Sequence, residues 1–181
     1  MSESPVRRTE PREVFGNAYI TVYDDDVVLA DGATTRYVRV RPGGNGPGVV
    51  LLPVRGPSVA LVWTYRYAVQ AWQWGLPRGF AHGPDVLVSA QAELREELGA
   101  TGRLEVIGHL TPDSGLLDSR VAVVLAELDD ERLAPLDVQE VLGVRWLTVS
   151  ELDAEVAAGL IEDAFTLAVL ALAKAKGVLV L

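Results

Sequence analysis

Three glutamates gathered at the end of one predicted helix constrain the fold of this chain more than any other feature. Residues 85–98 place apolar side chains along one side at helical spacing, and Gly99 is suited to a left-handed cap that ends the helix. Glu93, Glu96 and Glu97 lie about a third of a turn from that apolar stripe. The helix is therefore expected to pack by the stripe and to present its acids beside it. The stripe consists of Leu87, Ala90, Leu94 and Leu98.

The placement of these acids is electrostatically unfavourable. Glu93 lies three and four residues before Glu96 and Glu97, so like charges face each other at a cost of about 0.2–0.5 kcal/mol per pair. All three also lie at the negative end of the helix dipole. Arg95 is the one cation of the segment and has no acid three or four residues away. A solvated face is the ordinary explanation of a charge cluster, but the simplest missing partner here is a divalent cation.

Length and charge narrow the classes of function. A chain of 181 residues forms one domain, or one domain with a small appendage. Its 25 acidic and 16 basic residues give a formal charge of −9, which offers no basic surface for a nucleic acid and leaves an anionic substrate in need of a cation. The absence of cysteine excludes disulfides and thiolate metal sites, and is typical of a cytoplasmic protein. No segment predicts a signal peptide or a membrane span.

The order of the predicted elements favours a mixed sheet with helices on its faces, since strands and helices do not alternate regularly. Residues 1–13 are interpreted as a disordered leader, 14–45 as an N-terminal β-subdomain and 46–181 as the main domain. Asp24, Asp25 and Asp26 are expected to separate the first two strands, and Asp31-Gly32 is a hairpin signal. Strands are predicted at 18–23, 27–30, 35–41, 49–54, 59–65, 72–74, 104–110, 120–128 and 143–147, and helices at 85–98, 150–158 and 163–176.

The acidic helix resembles the signature of the Nudix family, G-x5-E-x7-R-E-U-x-E-E-x-G-U, in which U is an aliphatic residue. Residues 93–100, Glu-Leu-Arg-Glu-Glu-Leu-Gly-Ala, match its second half in register. The first half begins at Gly79 and departs from the signature. Its loop is one residue short, Pro84 or Asp85 stands where the first glutamate belongs, and Ala92 replaces the arginine.

The resemblance extends to the ADP-ribose pyrophosphatase branch of that family. Residues 63–69 and 74–79 look like its "QYR-x-PV … WELPAG" stretch, although Gly75 replaces the glutamate. Residues 111–115 resemble its Y-P-S-P-G segment, with Ser114 in place of the second proline. Residues 14–41 are similar to its N-terminal β-subdomain, which helps to form a dimer in relatives. The implied fold is a Nudix-type α/β/α sandwich with a mixed sheet, preceded by an antiparallel β-subdomain.

This resemblance also implies a metal-dependent chemistry. Glu93 and Glu97 would be ligands of Mg²⁺ or Mn²⁺, Glu96 would bind directly or through water, and the main-chain carbonyl of Arg78 would add another oxygen. The base that activates water would be Glu140 on a loop before a late strand, with Glu97 as the alternative. Glu140 could equally be a solvated acid of that loop.

Several further residues keep two interpretations. Arg66 and the side chain of Arg78 are candidates to bind phosphate oxygens. Trp72, Trp74 and Tyr67 belong either to the core or to the wall of a base-binding pocket. His82, in the shortened loop, either contacts a phosphate or is solvated, and the solvated interpretation is preferred. His109 is interpreted as structural.

The sequence thus predicts a Mg²⁺-dependent pyrophosphohydrolase that cleaves a nucleoside diphosphate linked to another moiety, with an ADP-ribose-like substrate as the first expectation. The alternative is an impaired Nudix domain that binds a nucleotide or nucleotide sugar without turning it over. The expected partner is a small nucleoside diphosphate derivative, and the resemblance implies a homodimer. Neither a nucleic acid nor a membrane is an expected partner.

Overall fold

The computed structural model describes residues 4–44, 46–129, 133 and 141–180. It divides the chain into two compact units. The first contains the residues up to Gly44 together with Thr111–Ser119, and the second contains the rest. The boundary between residues 44 and 45 falls one residue before the predicted boundary between residues 45 and 46. The segment Thr111–Ser119 was predicted in the main domain, but its contacts place it in the first unit.

The described part of the first unit contains an antiparallel sheet of four strands, β1 (Val6–Glu10), β2 (Glu13–Gly16), β3 (Ile20–Leu29) and β4 (Thr34–Pro42). The long strand β3 pairs with all three others. The predicted hairpin is confirmed, because β3 and β4 are joined by a turn in which Gly32 has a φ of 85°. The Asp31 side chain accepts a hydrogen bond of 2.9 Å from the main-chain N–H of Ala33 and closes this turn.

Two predictions for this unit are wrong in detail. Val6–Glu10 form a strand within the expected disordered leader, and β3 continues through the aspartates that were expected to interrupt it. The reason is charge pairing between strands. Asp25 is 2% exposed and lies 2.6 Å from Nε of Arg39 and 3.1 Å from Nε of Arg8, while Asp24 lies 2.8 Å from Nη2 of Arg12.

The second unit is built on a mixed sheet of seven strands among the described residues. Its strands are β5 (Val49–Arg55), β6 (Ser58–Arg66), β7 (Ala71–Gly75), β8 (Arg78–Gly79), β9 (Gly102–Leu110), β10 (Val121–Leu128) and β11 (Val141–Thr148). The order is β11-β6-β5-β10-β9, with β7 beside β6 and β8 beside β5. Strands β5 and β10 are parallel, and the remaining pairs are antiparallel.

Helices cover both faces of this sheet. Helix α1 (Val86–Leu98) packs in one apolar cluster with Leu51 and Val62, whereas α2 (Val149–Ala157) and α3 (Ala164–Ala175) pack in another with Leu52 and Leu61. Successive strand residues therefore serve opposite faces, as the pleat requires. The predicted α/β/α sandwich with a mixed sheet is confirmed. No helix of the described ranges is long and apolar enough to cross a membrane.

The segment Thr111–Ser119 is joined to the first unit by main-chain and ionic contacts. Val40 accepts a hydrogen bond of 2.8 Å from the N–H of Asp118 and donates one of 2.8 Å to Leu116. The Asp118 carboxylate lies 2.9 Å from Nη2 of Arg41 and 2.8 Å from Nη1 of Arg39. The hydrogen bond from Arg41 is the main cause that holds the pKa of Asp118 below its ordinary value. This carboxylate therefore stays ionised and keeps the segment attached.

The buried Asp25 also remains charged. Burial raises its pKa. Hydrogen bonds from the Arg39 side chain and the Arg12 main chain, together with the charges of Arg39 and Arg8, lower the pKa by a larger amount. The net result is a pKa below the ordinary value of 3.8. A carboxyl whose pKa is depressed by folding contributes stability above its unfolded pKa, and that contribution disappears as the pH falls through the folded pKa.

We expect Asp25→Asn to lower the free energy of unfolding at pH 7, because the substitution leaves the Arg39 guanidinium, only 14% exposed, without this carboxylate. The difference from wild type should narrow as the pH falls below about 4, because the unfolded wild-type chain then takes up a proton at Asp25 that the folded protein takes up only at lower pH. Denaturant melts between pH 3 and pH 7 measure both effects. Asp26→Asn is the control, since its half-exposed pair with Arg36 is 3.7 Å long. An equal difference at pH 3 and pH 7 would contradict the electrostatic explanation.

Candidate metal and active site

The helix that carries the three glutamates is capped at both ends, and its cap at Gly99 was predicted. The Asp85 side chain accepts hydrogen bonds from the N–H groups of Leu87 at 2.8 Å and Val88 at 3.3 Å, which begins α1. Gly99 ends the helix with a φ of 62° and donates its N–H to the carbonyl of Arg95 at 2.9 Å. Of the predicted apolar stripe, Ala90, Leu94 and Leu98 are fully buried, whereas Leu87 in the first turn is 41% exposed. The caps and these three buried residues fix the direction in which the acids point.

The three glutamates differ in exposure. Glu93 is 7% exposed, Glu97 is half-buried and Glu96 is exposed. Glu93 precedes the fully buried Leu94, so it lies at the edge of the face that packs on the sheet. Burial of a carboxylate is costly unless it is paired or binds a cation. Among the three glutamates, Glu93 therefore has the greatest need of a compensating positive charge or hydrogen-bond donor.

The Glu93 carboxylate lies against the main chain of Gly79. A Cβ atom added at Gly79 would lie 1.8 Å from Oε1 of Glu93, so any side chain here would displace the carboxylate. Glycine at this position makes room for the carboxylate beside strand β8. The carbonyl of the preceding residue, Arg78, was predicted as a metal ligand, and it belongs to the same short strand.

The side chain of Arg78 points to the other face of the sheet. Its Nη1 lies 2.7 Å from Oδ1 of Asp163, and its guanidinium carbon lies 4.3 Å from the centre of the Phe165 ring. Asp163 is the N-cap of α3 and accepts a hydrogen bond of 2.9 Å from the N–H of Thr166. This arrangement gives the Arg78 side chain a structural role. Its predicted contact with substrate phosphate stays a prediction that requires it to leave Asp163.

His82 is the residue of this site that the sequence interpretation missed. Its Nε2 lies 3.1 Å from Oε1 of Glu93, and its main-chain N–H donates a hydrogen bond of 3.0 Å to Oγ of Ser89. His82, Glu93 and Glu96 each offer a ligand atom, and these atoms all lie within 4.8 Å of one another. Among the described residues this group does not include Glu97, on the next position of the helix.

Of two other residues that were predicted in the site, the structure describes Arg66 but not Glu140. Arg66 ends strand β6 and is half-buried. Strand alternation from Val62 places it on the face that α1 covers. Glu140 and its neighbour Asp137 lie outside the described residues, so the proposed base stays a prediction.

The tryptophans do not belong to the acidic site. Trp72 and Trp74 line a cavity of about 460 Å³ together with Trp63, Arg145 and Glu155. Trp74 packs against the apolar cluster of α2 and α3, which lies on the face opposite α1. Tyr67 is 82% exposed and so is not a core residue.

The donor set on the α1 face fits a divalent cation. Carboxylate oxygens from Glu93 and Glu96 and a ring nitrogen from His82 converge, and the lack of a side chain at Gly79 keeps the space beside them open to the main chain. Hard oxygen donors are the ligands that Mg²⁺ and Mn²⁺ prefer. These donors are close enough together for one such ion to contact them.

Comparisons with known proteins bear on the fold and the family of this chain. No curated protein matches the sequence. A solved structure described as the crystal structure of an ADP compounds hydrolase has the same fold, with a TM-score of 0.82 and 20% identity over 97% of this chain and 96% of that one. The family model of the NUDIX domain matches residues 44–165, which include α1, Gly79 and His82. The chain therefore belongs to the Nudix hydrolase family, whose members act on diphosphate bonds.

Proposed function

We propose that this chain is a Mg²⁺- or Mn²⁺-dependent pyrophosphohydrolase whose substrate is a nucleoside diphosphate linked to another moiety, with ADP-ribose-like compounds first among the candidates. The observation that carries the proposal is the buried Glu93 carboxylate, which lies against Gly79 and converges with Glu96. The substrate class is supported by the fold shared with a protein described as an ADP compounds hydrolase. It is also supported by the resemblance of residues 63–79 to the ADP-ribose pyrophosphatase branch.

The residues of α1 and β8 have distinct roles in this proposal. Glu93, Glu96 and Glu97, with the carbonyl of Arg78, would hold the cation. When bound, such an ion screens phosphate charge, orients the attacking water and stabilises the leaving oxygen. Arg66, on the α1 face of β6, would bind a phosphate oxygen by a charge-assisted hydrogen bond.

A base completes the proposed chemistry. Glu140 would accept the proton of the attacking water, and Glu97 is the alternative. We also propose that the protein is a cytoplasmic homodimer, as the resemblance implies. Light scattering on the purified protein tests the dimer.

The proposal predicts release of product from a diphosphate substrate and its loss in Glu97→Gln. Because Gln keeps the shape but not the charge of a metal ligand, turnover should fall roughly a hundredfold or more. The assay supplies ADP-ribose, NADH, dinucleoside polyphosphates and nucleotide sugars with Mg²⁺ or Mn²⁺, and measures phosphate after a coupled phosphatase. Binding of one compound without turnover of any would instead indicate a nucleotide-binding module.

Glu140→Gln should lower kcat with little change in KM, because a base acts on water rather than on substrate binding. Asp137→Asn is the matched control, since it removes a neighbouring carboxylate from the same segment. Steady-state kinetics with the best substrate of the panel gives both constants. A damaging Asp137→Asn and a silent Glu140→Gln would show that the wrong carboxylate was chosen.

Gly79→Ala should displace Glu93, since the new methyl group would occupy the space of its carboxylate. A shift of about 1 Å at this ligand should reduce turnover roughly a hundredfold. It should also abolish the rise in melting temperature that millimolar Mg²⁺ or Mn²⁺ produces in wild type. Thermal melts with chelator and with metal measure this rise.

Gly143→Ala is the control for that substitution. It adds the same methyl group to the same sheet, but at ordinary distances of 3.6 Å from Trp63 and Trp74. The control should keep the metal-dependent rise. A Gly79→Ala protein with a wild-type rise would show that Glu93 does not hold the ion.

A further inference from the structure

We propose that His82 is a nitrogen ligand of the metal site. The site then binds ions that favour imidazole ligands, such as Co²⁺ and Zn²⁺, more tightly than a site made of carboxylates alone would. This inference rests on the proposed function, because it adds a residue to the same site. Neither the signature of glutamates nor the predicted set of ligands includes this histidine.

The first argument is the distance between the ligand atoms. Two neighbouring ligands of one octahedral ion, each about 2.1 Å from it, lie about 3.0 Å apart. Nε2 of His82 and Oε1 of Glu93 are 3.1 Å apart, and the ligand atom of Glu96 lies within 4.8 Å of both. The three atoms are therefore close to the spacing that a single ion requires.

The second argument is the way in which the His82 main chain is held. Its N–H donates to Oγ of Ser89, which is fully buried and in turn donates to the carbonyl of Asp85 at 3.2 Å. Both Ser89 and Glu93 belong to α1, so the histidine and the carboxylate are positioned by the same helix. A side chain anchored in this way brings its ring to Glu93 without an independent loop movement.

The third argument is charge. Glu93, Glu96 and Glu97 already repel one another, and a further carboxylate would add to that repulsion. A neutral imidazole supplies an electron pair and adds no negative charge. It is also a softer ligand than a carboxylate, and suits Co²⁺, Ni²⁺ and Zn²⁺ better than Mg²⁺. The contact of His82 with Glu93 thus changes the selectivity of the site as well as the number of its ligands.

The experiment uses the full-length protein with one equivalent of Mn²⁺ in a nitrogen-free buffer. Electron spin echo modulation detects a histidine nitrogen bound to Mn²⁺ directly. The chain has two histidines, and the exposed His109 on β9 is the matched control. Wild type and His109→Ala should show the nitrogen modulation, and His82→Ala should lose it.

Isothermal titration with Co²⁺ and with Mg²⁺ measures the selectivity. His82→Ala should weaken Co²⁺ binding roughly tenfold or more while changing Mg²⁺ binding by about twofold or less. His82→Gln keeps a hydrogen-bond donor for Glu93 but has no imidazole. It should therefore resemble His82→Ala, whereas a merely structural hydrogen bond would be rescued by Gln.

The outcomes separate this inference from the function on which it rests. A wild-type protein that binds Mn²⁺ and hydrolyses its substrate without a nitrogen signal overturns the assignment of His82 alone. Tighter metal binding by His82→Ala also overturns it, since the histidine would then compete with the ion for Glu93. A wild-type protein that binds no Mn²⁺ overturns the metal site and the proposed function together.

Discussion

The Glu93 carboxylate lies so close to the main chain of Gly79 that any side chain at this position would displace it, and this constraint sets the arrangement of the α1 face around strand β8. Strand β8 has only two residues, so its pleat sends one position to each face. Glycine on the α1 face leaves space for the carboxylate of Glu93. Arginine on the other face secures the N-terminus of α3 through Asp163. One short strand therefore positions an acid on one face of the sheet and anchors a helix on the other.

The first unit uses charge in a different way. Its aspartates lie within a strand and meet arginines from neighbouring strands, as Asp25 meets Arg8 and Arg39. Each pair joins residues that are distant in sequence, and the pairing allows a chain rich in charges to form an ordered sheet. The acids of α1 are neighbours on one helix instead, where like charges face one another. The proposed metal ion would offset the repulsion in the second arrangement, whereas arginines of the same sheet offset the charge in the first.

Local patterns in the sequence predicted most elements of the second unit. The cap of α1 at Gly99 and the apolar strands β5 and β6 follow from propensity and periodicity. The missed features depend on contacts across the chain. The continuity of β3 requires arginines from β1 and β4, and the position of His82 requires the hydrogen bond to Ser89. The orientation of the Arg78 side chain depends on the pairing of β8 with β5, which no local pattern specifies.

The polar cluster at the start of α3 has a consequence for local opening of the fold. Asp163 accepts hydrogen bonds from Arg78 and from the Thr166 hydroxyl, and that hydroxyl accepts the N–H of Leu76 at 2.9 Å. These contacts hold the chain just before Gly79. The Leu76 amide can then exchange its hydrogen with solvent only when α3 moves away, so its exchange rate reports how often the main chain beside Glu93 is released. Rigidity at the acidic site is thus set in part by a helix on the opposite face of the sheet.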